Sequence, residues 1–123
     1  MLLNSFFYIT REDADVSGCP IVSIRLNPEH AIYKAHFPGK PITPGVCQIQ
    51  IVTEILSIRL GADAELTDIK SVKYMAVIAP DEVTELTVRF QKMERNANSC
   101  KVIVVFEKEE QIFSKMSMTY RVN

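Results

Sequence analysis

Residues 36–60 read HFPGKPITPGVCQIQIVTEILSIRL: a histidine, a run studded with Pro38, Gly39, Pro41, Pro44 and Gly45, and then a long apolar segment closed by Gly61. A helix that is apolar on nearly every side cannot rest on a water-exposed surface, so the rest of the chain has to wrap around it. Pro44 suits a first-turn helix position, where its missing N–H costs nothing, and Gly61 is a natural C-terminal stop. The spacing therefore predicts a helix over 44–60 that forms the core and floors any site the chain carries.

Upstream of it, residues 5–10 (SFFYIT) are aromatic and β-branched, and 12–20 carry turn chemistry. Residues 20–26 (PIVSIRL) alternate and read as a second strand that pairs with the first. Pro28, Pro38, Pro41 and Pro44 together with Gly39 argue against any ladder or helix between 27 and 44 and for a stiff, irregular path. Downstream, 68–78 reads as a strand. Residues 83–92 place Leu86, Val88 and Phe90 on one face, 94–99 form a hairpin turn, and 100–108 is strongly β-prone. Residues 112–122 place Met116, Met118, Tyr120 and Val122 inward. The expected class is α+β: an antiparallel sheet of about six strands curled around one long central helix, as a single domain over 1–123. One sheet face and one helix make a thin layer, so at least a homodimer is expected to cover what remains.

With 14 Lys and Arg against 15 Asp and Glu, the chain has no overall field to attract nucleic acid or an anionic membrane. No apolar run approaches membrane-spanning length. The first residues lack a basic leader and a small-residue cleavage site, which predicts neither signal peptide nor anchor. Cys19, Cys47 and Cys100 are an odd number without CxxC or metal-ligand spacing, which points to free thiols, a cytoplasmic location, and no metal or cofactor.

Within 36–60, His36 sits in a stiff loop that leads into a helix start, where a neutral imidazole is either a general base or an idle histidine. His30, beside Glu29, reads as a surface residue. Gly45 and Val46 open a helix whose unpaired N–H groups are either a clamp for a carbonyl oxygen or an ordinary helix start. Gln50 and Glu54 are four apart and share a face. Glu54 reads as a rim or interface group, solvated or paired. Cys47, in the first turn, reads as a small core residue, with a nucleophile paired to His36 as the sharper alternative.

Together, His36-Phe37-Pro38-Gly39, Pro41 and Pro44-Gly45-Val46 before a long apolar helix resemble the HFPGxPxxPGV motif of the β-hydroxyacyl-acyl carrier protein dehydratases, which have the hotdog fold. The match is dense over 36–56, and Lys73-Tyr74-Met75 through Pro80-Asp81 is similar to the family's basic strand and proline-containing turn. The resemblance implies that His36 takes the proton next to the thioester carbonyl of a 3-hydroxyacyl chain. The N–H groups of Gly45 and Val46 hold the carbonyl oxygen, and Phe37, Gly45 and Val46 are substrate contacts along an apolar tunnel between subunits. In the family an acid lies fourteen residues after the histidine, on the neighbouring subunit; here that position is Gln50. An amide has no proton to give at physiological pH, so Glu54, one turn further on, is the expected substitute, bridged by Gln50 or a water.

The implied activity is a dehydratase on acyl thioesters of an acyl carrier protein or coenzyme A, in fatty acid or a related polyene or polyketide-type pathway. The alternatives are an acyl thioesterase on the same site and a non-catalytic acyl-binding subunit.

Overall fold

Six strands form one antiparallel sheet in the order β1-β2-β4-β5-β6-β3. In the computed structural model the described residues are 1–36 and 39–123, the side chain of His36 excepted. The elements are β1 (Phe7–Ala14), β2 (Pro20–Leu26), α1 (Ala31–His36), α2 (Gly45–Leu60), β3 (Ala64–Tyr74), β4 (Glu85–Arg95), β5 (Ser99–Lys108) and β6 (Gln111–Val122).

The alternation read in the sequence sets the inner face. Leu86, Val88 and Phe90 of β4 and Met116, Met118, Tyr120 and Val122 of β6 are buried, joined by Val102, Val104 and Phe106 of β5. Against this face lies α2, through Ile51, Val52, Ile55 and Leu56. Burying such side chains stabilises the fold by roughly 1.5–3 kcal/mol each. The opposite strip of α2, with Val46, Gln50 and Ile58, stays exposed, so within one chain the helix is covered on one side only. Pro44 is the N-cap rather than a first-turn residue: its backbone is extended and its carbonyl accepts the N–H groups of Cys47 and Gln48. Gly61 is left-handed, at φ 64°, and closes the helix by donating to Ile58 O while Ala62 donates to Ser57 O.

Several expected boundaries move. Strand β1 runs on to Ala14 because its hairpin turn begins only at Asp15, whose Oδ1 accepts the N–H groups of Ser17 and Cys19. Strand β3 starts at Ala64 and ends at Tyr74, where its pairing with β6 runs out at Ser114. Strand β4 continues through a bulge after Phe90 to Arg95, which leaves 96–98 as the turn. The proline-rich stretch does contain a helix: α1 occupies the proline-free interval between Pro28 and Pro38. Its start is stabilised by His30, whose Nδ1 accepts the N–H of Ile32 at 3.1 Å. His30 is thus half-buried and capping, not a bland surface group.

The two sheet edges are β1 and β3. Ile69 and Tyr74 of β3 and Met75 and Val77 just beyond it are about half exposed or more. Among the described residues no helix is long and apolar enough to cross a membrane.

Candidate active site

Helix α1 delivers the chain toward the start of α2. Phe6 stacks on Tyr33 with ring centroids 4.9 Å apart and meets His30 edge-on at 5.3 Å. One turn before His36, the buried Tyr33 hydroxyl lies 2.9 Å from Thr43 Oγ1. The expectations for the His36 imidazole and for Phe37 lie outside the described residues.

Thr43 is the first link of a buried polar chain. Its N–H donates to Ile78 O at 2.8 Å, and its carbonyl accepts Gln48 Nε2 at 3.4 Å. Gln48 Oε1 accepts the Ser114 hydroxyl at 2.7 Å. The chain therefore ties α1, the turn before α2, the first turn of α2 and β6 together through neutral groups. Among the described residues no buried side-chain nitrogen or oxygen lacks a partner. Burial pushes the Tyr33 phenol up to about 12, partly opposed by the Thr43 hydrogen bond, so it remains a donor at neutral pH. Nothing in the sequence spacing identifies Gln48 and Ser114, 66 residues apart, as partners.

At the helix start, the N–H groups of Gly45 and Val46 have no acceptor among the described residues, as the first turn of any helix requires. Glycine at 45 has a specific steric cause: a Cβ there would run into the hydroxyl end of Tyr74. A cleft of about 270 Å³ opens beside this contact, lined by Ile42, Thr43, Gly45, Gln48, Tyr74 and Val77 among others. Burial pushes the Tyr74 phenol up, and likewise the Cys47 thiol. A raised thiol stays protonated at neutral pH, in keeping with Cys47 as a core residue.

Further along α2, Glu54 is almost fully buried, at 4% exposure, and not a solvated rim group. Its Oε1 and Oε2 accept the N–H of Leu2 at 3.0 and 2.8 Å, and Oε1 also accepts that of Leu3 at 2.8 Å. Gln50 Nε2 donates to Glu54 Oε2 at 2.8 Å, so the two residues expected to act together are in direct contact. Both line a larger cleft, about 500 Å³, with Met1, Thr53, Ser57 and Ile58. Thr53 in turn hydrogen-bonds Tyr120 at 2.9 Å. Gln50 and Glu54 thus open into a different cleft from Gly45, and one chain by itself does not bring the two groups together.

Comparison with known proteins agrees with this architecture. The dehydratase FabZ of Lactiplantibacillus plantarum, a 3-hydroxyacyl-(acyl-carrier-protein) dehydratase, is 29% identical over 93 residues, 68% of this chain and 63% of that protein. That of Lactobacillus helveticus is 31% identical over 86 residues, 64% of this chain and 57% of its own length. The chain spans about three fifths of the length of these curated relatives. Among solved structures, the dehydratase heterocomplex ApeI:P of Xenorhabdus doucetiae superposes with a TM-score of 0.72 at 18% identity, covering 92% of this chain and 96% of that one. A hypothetical thioesterase of Streptococcus pneumoniae, solved with coenzyme A, reaches a TM-score of 0.60 at 16% identity, covering 98% and 91%. At such identities these likenesses establish the fold, the hotdog arrangement of one sheet around one long helix. Residues 12–117 match the family described as ApeI-like, ApeI dehydratase, and with most of its length inside that match the chain belongs to this dehydratase family.

Proposed function

We propose that the chain dehydrates 3-hydroxyacyl thioesters, carried on an acyl carrier protein or coenzyme A. The observation that carries this is the arrangement around Gly45. His36 ends α1, the Tyr33–Thr43 bond ties that helix to the start of α2, and the Gly45 and Val46 N–H groups, without an acceptor among the described residues, lie beside an apolar cleft. His36 takes a proton from the carbon next to the thioester carbonyl, and the oxygen, gaining negative charge, is held by those N–H groups and the positive end of α2. The hydroxyl on the next carbon then leaves as water. Phe37 flanks the acyl chain.

Gln50 and Glu54 complete the site from a second copy of the chain. The exposed strip of α2 and the long exposed edge at β3 support such pairing, since both are surfaces that a partner would cover. Gln50 receives the leaving hydroxyl. Glu54, 2.8 Å from the Gln50 amide, supplies the proton when it is in its protonated form, passing it through a water in the cleft that both residues line. Loss of a general acid typically costs ~10²–10⁴-fold in rate. If Glu54→Gln left dehydration of a short 3-hydroxyacyl thioester unchanged, Glu54 would have no part in it.

One observation favours a second reading. One N–H of the Gln50 amide is committed to Glu54, which holds the side chain in place and leaves its carbonyl as an acceptor suited to orienting a water at a thioester. Such a site would hydrolyse the thioester. The deciding experiment incubates the protein with 3-hydroxyacyl and saturated acyl thioesters on both carriers and follows enoyl product and free thiol together. Enoyl formation lost in His36→Ala supports dehydration; free thiol with no change in the chain replaces it with hydrolysis. Turnover of neither, with acyl carrier protein still bound, makes the chain an acyl-binding subunit.

A further inference from the structure

We propose that the Tyr74 hydroxyl is a third hydrogen-bond donor to the thioester carbonyl oxygen, beside the N–H groups of Gly45 and Val46; this rests on the function proposed above and adds a side chain to its clamp. Tyr74 is the last residue of β3, opposite Ser114, and about half exposed. Its hydroxyl end occupies the place that a Cβ on Gly45 would take. In a helix the Cα–Cβ bond tilts toward the N-terminus. That place is therefore at the mouth of α2, on the side toward which the unpaired N–H groups point.

Among the described polar side chains that line the cleft, Thr43, Gln48 and Tyr74, only the last is available to a ligand. Thr43 and Gln48 are buried and engaged with each other, with Tyr33 and with Ser114. The Tyr74 hydroxyl has no hydrogen-bond partner among the described residues. A phenylalanine would fill the same space, so the hydroxyl adds a donor and nothing to the packing. Burial pushes this phenol up, so it keeps its proton at neutral pH.

The backbone on both sides of the cleft is fixed before any ligand arrives. Just after Tyr74, the N–H groups of Met75 and Ala76 both donate to Phe113 O, at 2.8 and 3.1 Å. The Thr43 N–H donates to Ile78 O at 2.8 Å, which ties the turn before α2 to the segment that follows Tyr74. A donor placed in advance needs little reorganisation when charge appears in front of it. In the bound thioester the carbonyl oxygen is neutral. As His36 takes the proton from the neighbouring carbon, the electron pair moves onto that oxygen, and the hydrogen bond from Tyr74 strengthens while the phenol keeps its own proton.

The test compares wild type with Tyr74→Phe on 3-hydroxyacyl thioesters, following enoyl product and free thiol. The variant is expected to lower kcat about 10–100-fold and to leave KM within about twofold, because the donor acts on charge that develops only in the transition state. Its thermal midpoint should be unchanged, since no partner is left unpaired. Tyr8→Phe, on β1 at the far edge of the sheet, should alter neither rate nor KM. The direct readout is infrared spectroscopy of a butyryl ketone analogue, methylene in place of the thioester sulfur and isotope-labelled at the carbonyl carbon, on each carrier. Neither reaction consumes it, and its bound carbonyl band should lie lower in wild type than in Tyr74→Phe. Equal bands, or a rise in KM with kcat unchanged, overturn the proposal. So does a change of sedimentation mass in Tyr74→Phe without a band shift, which would give the hydroxyl to a second copy of the chain. If wild type releases free thiol instead of enoyl product, the same loss of kcat keeps the donor and replaces dehydration with hydrolysis. If wild type turns over neither, a lower band in wild type keeps the donor and removes the reaction, and equal bands remove both.

Discussion

Helix α2 carries two polar clusters built on opposite plans. At its start, Tyr33, Thr43, Gln48 and Ser114 form a closed chain of neutral groups, each satisfied by another side chain or by Thr43 backbone. Two turns on, Glu54 is a buried carboxylate satisfied by the backbone of residues 2 and 3 and by Gln50. The first cluster joins elements already held by the core. The second is what fastens the N-terminal segment to the helix. A neutral network tolerates the joint replacement of its members, whereas an ionisable hub with three donors does not.

The largest expected effect therefore falls on Glu54. Replacing it with alanine strands the N–H groups of Leu2 and Leu3 and frees the Gln50 amide, and should cost about 3–5 kcal/mol in denaturant unfolding. Glu54→Gln, which keeps one acceptor oxygen, should fall between alanine and wild type. If Glu54→Ala cost less than about 1 kcal/mol, the N-terminal segment would not depend on it and the contrast between the clusters would collapse.

The second cluster to break is the neutral one. Ser114→Ala alone leaves Gln48 Oε1 buried without its donor, and Gln48→Met alone leaves the Ser114 hydroxyl and the Thr43 carbonyl unpaired; each should cost about 1–3 kcal/mol. The double substitution leaves only the Thr43 carbonyl and should cost clearly less than the sum. Strict additivity in that cycle would mean that the two side chains are not coupled.

How much of this was legible depended on the range of the interactions. Strand β6 declared its inner face through Met116, Met118 and Tyr120, because alternation is local and the sheet is wet on one side only. Gly61 declared the end of α2 because only a left-handed residue closes a helix so simply. The α1 helix was hidden by its flanking prolines: their density was visible, but not that the interval between Pro28 and Pro38 is long enough for one and a half turns, with His30 to cap them. Gln50 and Glu54 were legible as neighbours at i and i+4, and that contact is present. The use made of Glu54 was not, since its partners are backbone N–H groups 51 and 52 residues away, and a backbone donor leaves no trace in residue type. Tyr74 against Gly45 was hidden because the two are distant in sequence: a glycine shows that a Cβ is missing, not which side chain lies where it would be.

The smallest expected effect is at Tyr33, where the neutral cluster meets α1. At neutral pH, Tyr33→Phe removes one hydrogen bond and should cost about 1 kcal/mol. Its signature lies in alkali. Burial raises the folded pKa from 10.0 to about 12, so the native state holds this proton more tightly than the unfolded chain does. Below pH 10 both states carry it and the contribution is intact. As pH rises from 10 toward 12 the unfolded chain releases its proton while the native state keeps it, so stability falls, by about 1 kcal/mol at pH 11 from this group. Tyr120 and Cys100, also raised by burial, add to the same alkaline loss and remain in the variant. Unfolding measured from pH 8 to 11 should therefore show a shallower decline in Tyr33→Phe than in wild type. Parallel declines would mean that Tyr33 is not the desolvated hydroxyl linking α1 to Thr43, and the tie between the helix that ends at His36 and the start of α2 would have to lie elsewhere.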